Sequence, residues 1–239
     1  SKEACPPYYF MYKNGCIMYI YLNPQYVIRN ENNCSYIIAK SALITAKLEY
    51  AMAFASVVPP SIGYILSHIG EGELNASIEN IANTLNIKPD LIDKFIRKII
   101  DNPVKVGWNY KGVTISFPPY LLTSVKEESE GSVYTDNELF YTTDFIPKRP
   151  SVPLNLNFMI TTQCRTDCMY CYADRNRKND LTSWQIIKVI DEAHDMGGNL
   201  ALTGGDIFAF PDWKEVIRKV GQYGFTPLLS TKIPLKEDD

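Results

Sequence analysis

A chain of 239 residues has room for one or two domains with their own cores, and 46% hydrophobic against 21% charged residues is an ordinary globular balance. A net charge of −3 speaks against a broad electrostatic grip on nucleic acid. The most apolar run, "YAMAFASVV" at 50–58, falls short of the roughly 18 residues that a membrane span needs. No basic-then-apolar signal with a cleavage site opens the chain, so the expected compartment is the cytoplasm, where thiols stay reduced.

Taken in order, "YYFMYKNGCIMYIYL" holds Asn14-Gly15 between apolar and aromatic flanks, a strong hairpin signal. From residue 61, "SIGYILSHI" reads as a helix ended by the glycines at 70 and 72. "NASIENIANTL" reads as a second, starting at Asn75 or Ser77. "KPDLIDKFIRKII" is a third, with Pro89 in its first turn, an apolar face of Leu91, Ile92, Phe95, Ile96, Ile99 and Ile100, and Asn102-Pro103 as its stop. Two β runs follow, "VKVGWNY" and "VTISF", joined by Lys111-Gly112. Three helices and a β-wing suggest a winged-helix-like domain over residues 1–122. Residues 123–150, charged and then proline-rich, read as a linker or a connector hugging the surface.

From 151 to 239 the rhythm is strand, helix, strand, helix, strand. "LNLNFMIT" (154–161) is the first strand. The next helix has Thr182 as N-cap, Gln185 as its capping-box partner and Gly197-Gly198 as its stop. "NLALTGGD" is the second strand. The helix after it is capped by Asp212 and ended by Gly221 or Gly224, and "FTPLLST" (225–231) is the third strand, with Pro227 an awkward member. Strands separated by single helices run parallel with right-handed crossovers, and ligand sites lie at their C-terminal ends.

"QCRTDCMYCY" at 163–172 puts three of the six cysteines, Cys164, Cys168 and Cys171, into the loop after the first of these strands. Cys5, Cys16 and Cys34 are scattered and read as structural or incidental, with a disulfide among them left open. A structural zinc site prefers four closed ligands, and the two histidines, His68 and His194, fall in remote helices. A buried cysteine cluster or redox pair is a further reading. The third is an iron–sulfur cluster held by three thiolates, which leaves one iron open for a substrate or cofactor.

The motif Cys164-x3-Cys168-x2-Cys171, with Tyr170 before the last cysteine, resembles the signature of the radical S-adenosylmethionine superfamily. The resemblance implies a 4Fe-4S cluster on the three cysteines, whose open iron chelates S-adenosylmethionine. Reductive cleavage then yields methionine and a hydrogen-abstracting 5′-deoxyadenosyl radical. It also implies a role for Thr203, Gly204, Gly205 and Asp206 at the end of the second strand, where the family places Gly-Gly-Glu against the methionine end of the cofactor. Asp206 replaces the commoner Glu and no proline follows it. Tyr170 is assigned to the adenine side or to shielding the cluster. Ser230, with Thr231 and Lys232, ends the third strand within reach of the cofactor. Arg165 and Asp167 read as solvated loop charges, and no catalytic side chain is singled out.

The front half admits DNA or peptide binding. Lys88, Lys94, Arg97 and Lys98 on the third helix are balanced by Asp90 and Asp93, which disfavours nucleic acid. Some family members that modify ribosomally made peptides begin with a small winged-helix-like element that captures the leader peptide as an added strand, and this resemblance rests on order and size alone. The expected whole is therefore α/β plus α+β: a winged-helix-like domain followed by the first half of a partial (β/α)6 barrel. It implies a precursor peptide and a one-electron donor such as flavodoxin or ferredoxin as partners. Three strands leave the barrel unfinished, so the chain as given is expected to be catalytically incomplete: a fragment, a truncated product or a degenerate member, with exposed apolar faces. The competing reading is a non-catalytic peptide- or DNA-binding protein with a vestigial cluster loop.

Overall fold

A computed structural model describes residues 19–40, 55–70, 72–127, 131–135, 140–172, 181–225, 229–232 and 234. The Asn14-Gly15 hairpin signal, Cys5 and Cys16 lie outside them.

The first half opens with β1 (Tyr21–Leu22), β2 (Tyr26–Asn30), β3 (Ser35–Ala39) and β4 (Ala55–Val58). Strands β4, β3 and β2 run antiparallel, and β8 (Ser132–Thr135) joins the far side of β2 in parallel. Strands β2 and β3 are buried along their whole length, and the alternation of their side chains divides two cores between the faces. Ile28, Ile37 and Ala39 face the main core with the helices, whereas Val27, Tyr36 and Ile38 face a smaller cluster closed by Tyr134, Phe145 and Leu154. Strand β8 lies within the stretch read as a linker or connector. Its residues complete the sheet rather than span a gap.

Helices α1 (Pro60–His68), α2 (Leu74–Leu85) and α3 (Pro89–Ile99) follow in the expected order. Helices α1 and α3 each begin on a proline, whose missing N–H is one that a first turn leaves unbonded anyway. Helix α2 starts at Leu74 with Glu73 as its cap, ahead of the expected Asn75 or Ser77. The Asn75 amide donates back to the Glu73 carboxylate (3.1 Å), while Ser77 is buried. Helix α3 buries Ile92, Ile96 and Ile99 as expected, but Leu91 lies off that stripe and is 55% exposed. Strands β5 (Val106–Tyr110) and β6 (Val113–Phe117) form the expected hairpin, with Lys111 (φ 50°) and Gly112 (φ 84°) both left-handed at its tip. Strand β7 (Leu122–Thr123) pairs with β1.

The second half comprises β9 (Asn155–Thr161), α4 (Ser183–Asp195), β10 (Asn199–Gly204) and α5 (Trp213–Gln222). Strand β10 runs parallel to β9. Helix α4 has the capping box expected at its start, with Thr182 N–H donating to Gln185 Oε1 (2.9 Å) and Gln185 N–H to Thr182 Oγ1 (3.4 Å). Asp212 precedes α5 but makes no side-chain cap; its carboxylate accepts instead from the Ser183 hydroxyl at the start of α4. Ile186 and Ile190 of α4, Val216 and Val220 of α5, and Ile160, Leu200 and Leu202 of the strands form a separate core. Of the third expected strand, residues 226–228 lie outside the described ones, and Leu229–Thr231 are not in a strand. The fold is mixed α/β with no closed barrel among the described residues. None of the described helices is long and apolar enough to cross a membrane.

The halves meet through the buried guanidinium of Arg29 on β2. It donates to the carbonyl of Met196, the last cap of α4, where helix carbonyls carry partial negative charge. Glu31 takes the Ser151 backbone N–H and hydroxyl, both at 2.8 Å, and fixes the chain just before β9.

Candidate functional site

Both parallel strands stop at one edge, and a cavity of about 310 Å³ opens there. Its walls carry Cys164, Cys168, Tyr170 and Cys171 from the loop after β9, Thr203 to Asp206 from the end of β10, and Ser230 from the segment after α5, whereas Thr231 does not line it. Parallel strands joined through a helix necessarily bring their carboxyl ends together, so residues about 40 positions apart share a wall. Thr162, Thr166, Tyr172 and Lys232 line it too.

Cys164 and Cys168 are half-buried and Cys171 is exposed; none is in a disulfide. The Thr166 hydroxyl lies between the first two sulfurs, 3.2 Å from Cys164 Sγ and 3.7 Å from Cys168 Sγ. Cys171 N–H donates to Cys168 O (3.1 Å), which closes the two-residue gap as a tight turn. Among the described residues no three His, Cys, Asp or Glu side chains converge on one point, so the thiols share a loop and a cavity without forming a closed ligand set. As a donor set they suit iron and sulfur: soft sulfur ligands, three in number, on a loop that faces open space. His68 and His194, in helices α1 and α4 as expected, are not among the residues that line the cavity.

The two glycines admit a close approach by the chain's own backbone. A Cβ on Gly205 would lie 2.0 Å from Gln163 O, and one on Gly204 (φ 133°) 2.3 Å from Thr161 O. What approaches them is the protein's own backbone at the root of the cysteine loop. Gly205 N–H donates to Thr161 O (2.7 Å) and Asp206 N–H to Gln163 O (2.8 Å), at the point where the β9–β10 register shifts. The glycines clamp the cysteine loop against β10, and these two N–H groups are already spent within the chain.

Asp206 is 2% exposed. Its carboxylate accepts from Phe208 N–H (3.1 Å), Thr231 Oγ1 (2.9 and 2.7 Å to its two oxygens) and Lys232 N–H (2.9 Å). Three donors from the chain, Phe208 N–H, the Thr231 hydroxyl and Lys232 N–H, already engage both oxygens of the carboxylate expected to meet the cofactor's ammonium. The Thr203 hydroxyl is hydrogen-bonded to the Tyr172 hydroxyl at the cavity mouth. Tyr170 is 79% exposed on the same rim. The sequence reading passed over Tyr172, although it adjoins Cys171, and Thr166, although it sits between two cysteines; neither type carries a motif signal by itself.

This half of the chain has the parallel strand–helix–strand arrangement of α/β proteins, in which ligand sites generally lie at strand carboxyl ends. No family model matches the chain, and no curated protein matches it. Among solved structures, SuiB from Streptococcus suis, crystallised bound to S-adenosylmethionine, shares the fold with a TM-score of 0.51 at 13% identity. The match covers 91% of this chain and 44% of SuiB, so the chain spans less than half of that protein's length.

Proposed function

We propose that the chain belongs to a radical S-adenosylmethionine enzyme that modifies a ribosomally synthesised peptide. Residues 1–122, with β8 (Ser132–Thr135) added to their sheet, would form the winged-helix-like recognition domain, the rest of 123–150 the connector and 151–239 the opening of a partial (β/α)6 barrel. The observation that carries the reading is the meeting of the three cysteines and the Gly204-Gly205 turn around one cavity at the ends of two parallel strands. The shared fold with a protein crystallised with S-adenosylmethionine supports it.

In this reading Cys164, Cys168 and Cys171 hold the iron–sulfur cluster. The bound 4Fe-4S cluster and S-adenosylmethionine together supply the radical chemistry that removes a hydrogen atom from a substrate carbon. The rest is the work of this chain's own groups. The glycine clamp sets the root of the cysteine loop, and Thr166 keeps two sulfurs on one side of it. Gly204, Thr203, Tyr172 and Ser230 offer carbonyl and hydroxyl groups to the polar parts of the cofactor, and Tyr170 offers an aromatic rim. The substrate would be a precursor peptide held through its leader, and a flavodoxin or ferredoxin would deliver the electron.

The test is anaerobic reconstitution of the full chain with iron and sulfide. The expected result is iron bound with the visible absorption of a 4Fe-4S cluster, binding of S-adenosylmethionine, and loss of both when the three cysteines become serine. Zinc in place of iron, or iron uptake indifferent to the serine substitutions, refutes the reading.

A further inference from the structure

We infer that Asp206 is a positioning residue that builds the far wall of the cavity and not a ligand of the cofactor's ammonium group; the inference rests on the cofactor reading of the cavity given above. One residue here joins three pieces of chain. Its backbone N–H holds Gln163 O at the root of the cysteine loop (2.8 Å). Its Oδ1 takes the Phe208 N–H (3.1 Å) and caps the short turn Ile207–Ala209 that follows β10. Its Oδ2 takes Thr231 Oγ1 (2.7 Å) and Lys232 N–H (2.9 Å).

The last pair matters because the described residues 229–232 belong to no strand. Among the described residues no β-ladder includes Leu229, Ser230 or Lys232; Leu229 packs against the core of this half, and the Asp206 carboxylate ties down Thr231 and Lys232 beside it. A buried carboxylate with hydrogen-bond donors on both oxygens is satisfied, and pulling it away to meet a ligand leaves those donors without their acceptor, a cost comparable to the bond a ligand offers. The choice of aspartate follows from the same geometry. Its short side chain fits a slot 2% open to solvent, and a glutamate adds a methylene that overshoots it.

The effect on cofactor binding is therefore indirect. Releasing the clasp frees the wall segment, and the cavity loses Ser230 as a fixed partner. The Thr231 hydroxyl and the Asp206 carboxylate act as one unit, so their removal is not additive.

The experiment compares the full chain with Asp206→Asn, Asp206→Glu, Thr231→Val and the Asp206→Asn/Thr231→Val double variant. Amide hydrogen exchange over 229–232, without cofactor, reads the clasp directly. Exchange at Lys232 is expected to rise about tenfold or more in Asp206→Asn, to rise in Thr231→Val, and to rise no further in the double variant. On anaerobically reconstituted protein, S-adenosylmethionine affinity is expected to fall to a similar extent, within about threefold, in Asp206→Asn and Thr231→Val, with no recovery in Asp206→Glu. Unchanged Lys232 exchange in Asp206→Asn overturns the clasp. Normal affinity in Thr231→Val, with loss in Asp206→Asn and recovery in Asp206→Glu, overturns the positioning role and returns the carboxylate to the ligand. Wild-type protein that binds no S-adenosylmethionine defeats the cofactor reading, and the exchange comparison then decides the clasp alone.

Discussion

Replacing Gly205 with alanine tests whether the glycine pair clamps the cysteine loop. The new Cβ would sit 2.0 Å from Gln163 O, 2.8 Å from Gln163 C and 2.9 Å from Thr162 C, all of them backbone atoms that no side-chain rotation relieves. Real Cβ contacts essentially never fall below 3.0 Å, so the root of the loop must retreat by about 1 Å. That displacement breaks the Asp206 N–H bond to Gln163 O (2.8 Å) and strains the Gly205 N–H bond to Thr161 O (2.7 Å). Overpacking of this kind costs about 1–3 kcal/mol and each lost bond about 1 kcal/mol, so Gly205→Ala should destabilise by about 3–5 kcal/mol. Gly221 is the control: it lies in α5 with nothing within 4 Å of a built Cβ, and Gly221→Ala should stabilise by about 0.5–1 kcal/mol. Urea unfolding followed by far-UV circular dichroism separates the two. A Gly205→Ala variant within about 1 kcal/mol of the wild type refutes the clamp, because the loop would then be free to yield.

Arg29→Leu should cost about 3 kcal/mol in the same assay, since Arg29 lies 3.5 Å from Glu31 in the buried sheet; its loss leaves that carboxylate only the Ser151 donors and Lys148 at 4.0 Å, and removes the guanidinium donor from the Met196 carbonyl. Adding Glu31→Gln should recover part of the loss; no recovery would place the cost elsewhere. Thr182→Ala removes one half of the α4 capping box and should cost about 1 kcal/mol, with Thr182→Ser close to neutral. His194, stacked on Tyr223 at 3.9 Å and edge-on to Tyr134, has its pKa pushed below the usual 6.5, first by burial and then by the nearby Lys40 and Lys219, while Asp195 and Asp191 oppose the shift. The unfolded chain then takes the proton more readily than the folded one, so the contribution is whole above 6.5 and is lost as pH falls through that value. Stability measured at pH 7.5 and 5.5 should show this slope, and His194→Phe should flatten it; an unchanged slope assigns the effect to other groups.

Local signals in the sequence were enough to place most of the elements. Proline at the start of α3, the Thr182–Gln185 box and the Lys111-Gly112 tip act within a few residues, and each stands where its chemistry put it. The three cysteines and the glycine pair were equally plain, because strand, helix, strand obliges the loop after one strand and the end of the next to meet. Other features were hidden because they depend on partners distant in the chain. Strand β8 looked like part of a linker because its charged and small flanks say nothing of β2, about 100 residues earlier, against which it pairs. Asp212 has the right type and position for a cap, yet a hydroxyl from α4 claims its carboxylate. Asp206 has the type and place of a cofactor contact, and its bonds to Thr231 and Lys232, 25 and 26 residues on, leave no local signal.

What the sequence determined alone was the donor chemistry: three soft sulfurs in eight residues at a strand end, a set suited to iron and sulfur. What only the tertiary structure decided was which neighbouring groups remain open to a ligand. An N–H donates its one hydrogen, and a buried carboxylate releases the donors upon it only at a cost, so whether the Gly205 amide and the Asp206 carboxylate are engaged by the chain itself depends on backbone and side chains that folding alone brings within 3 Å.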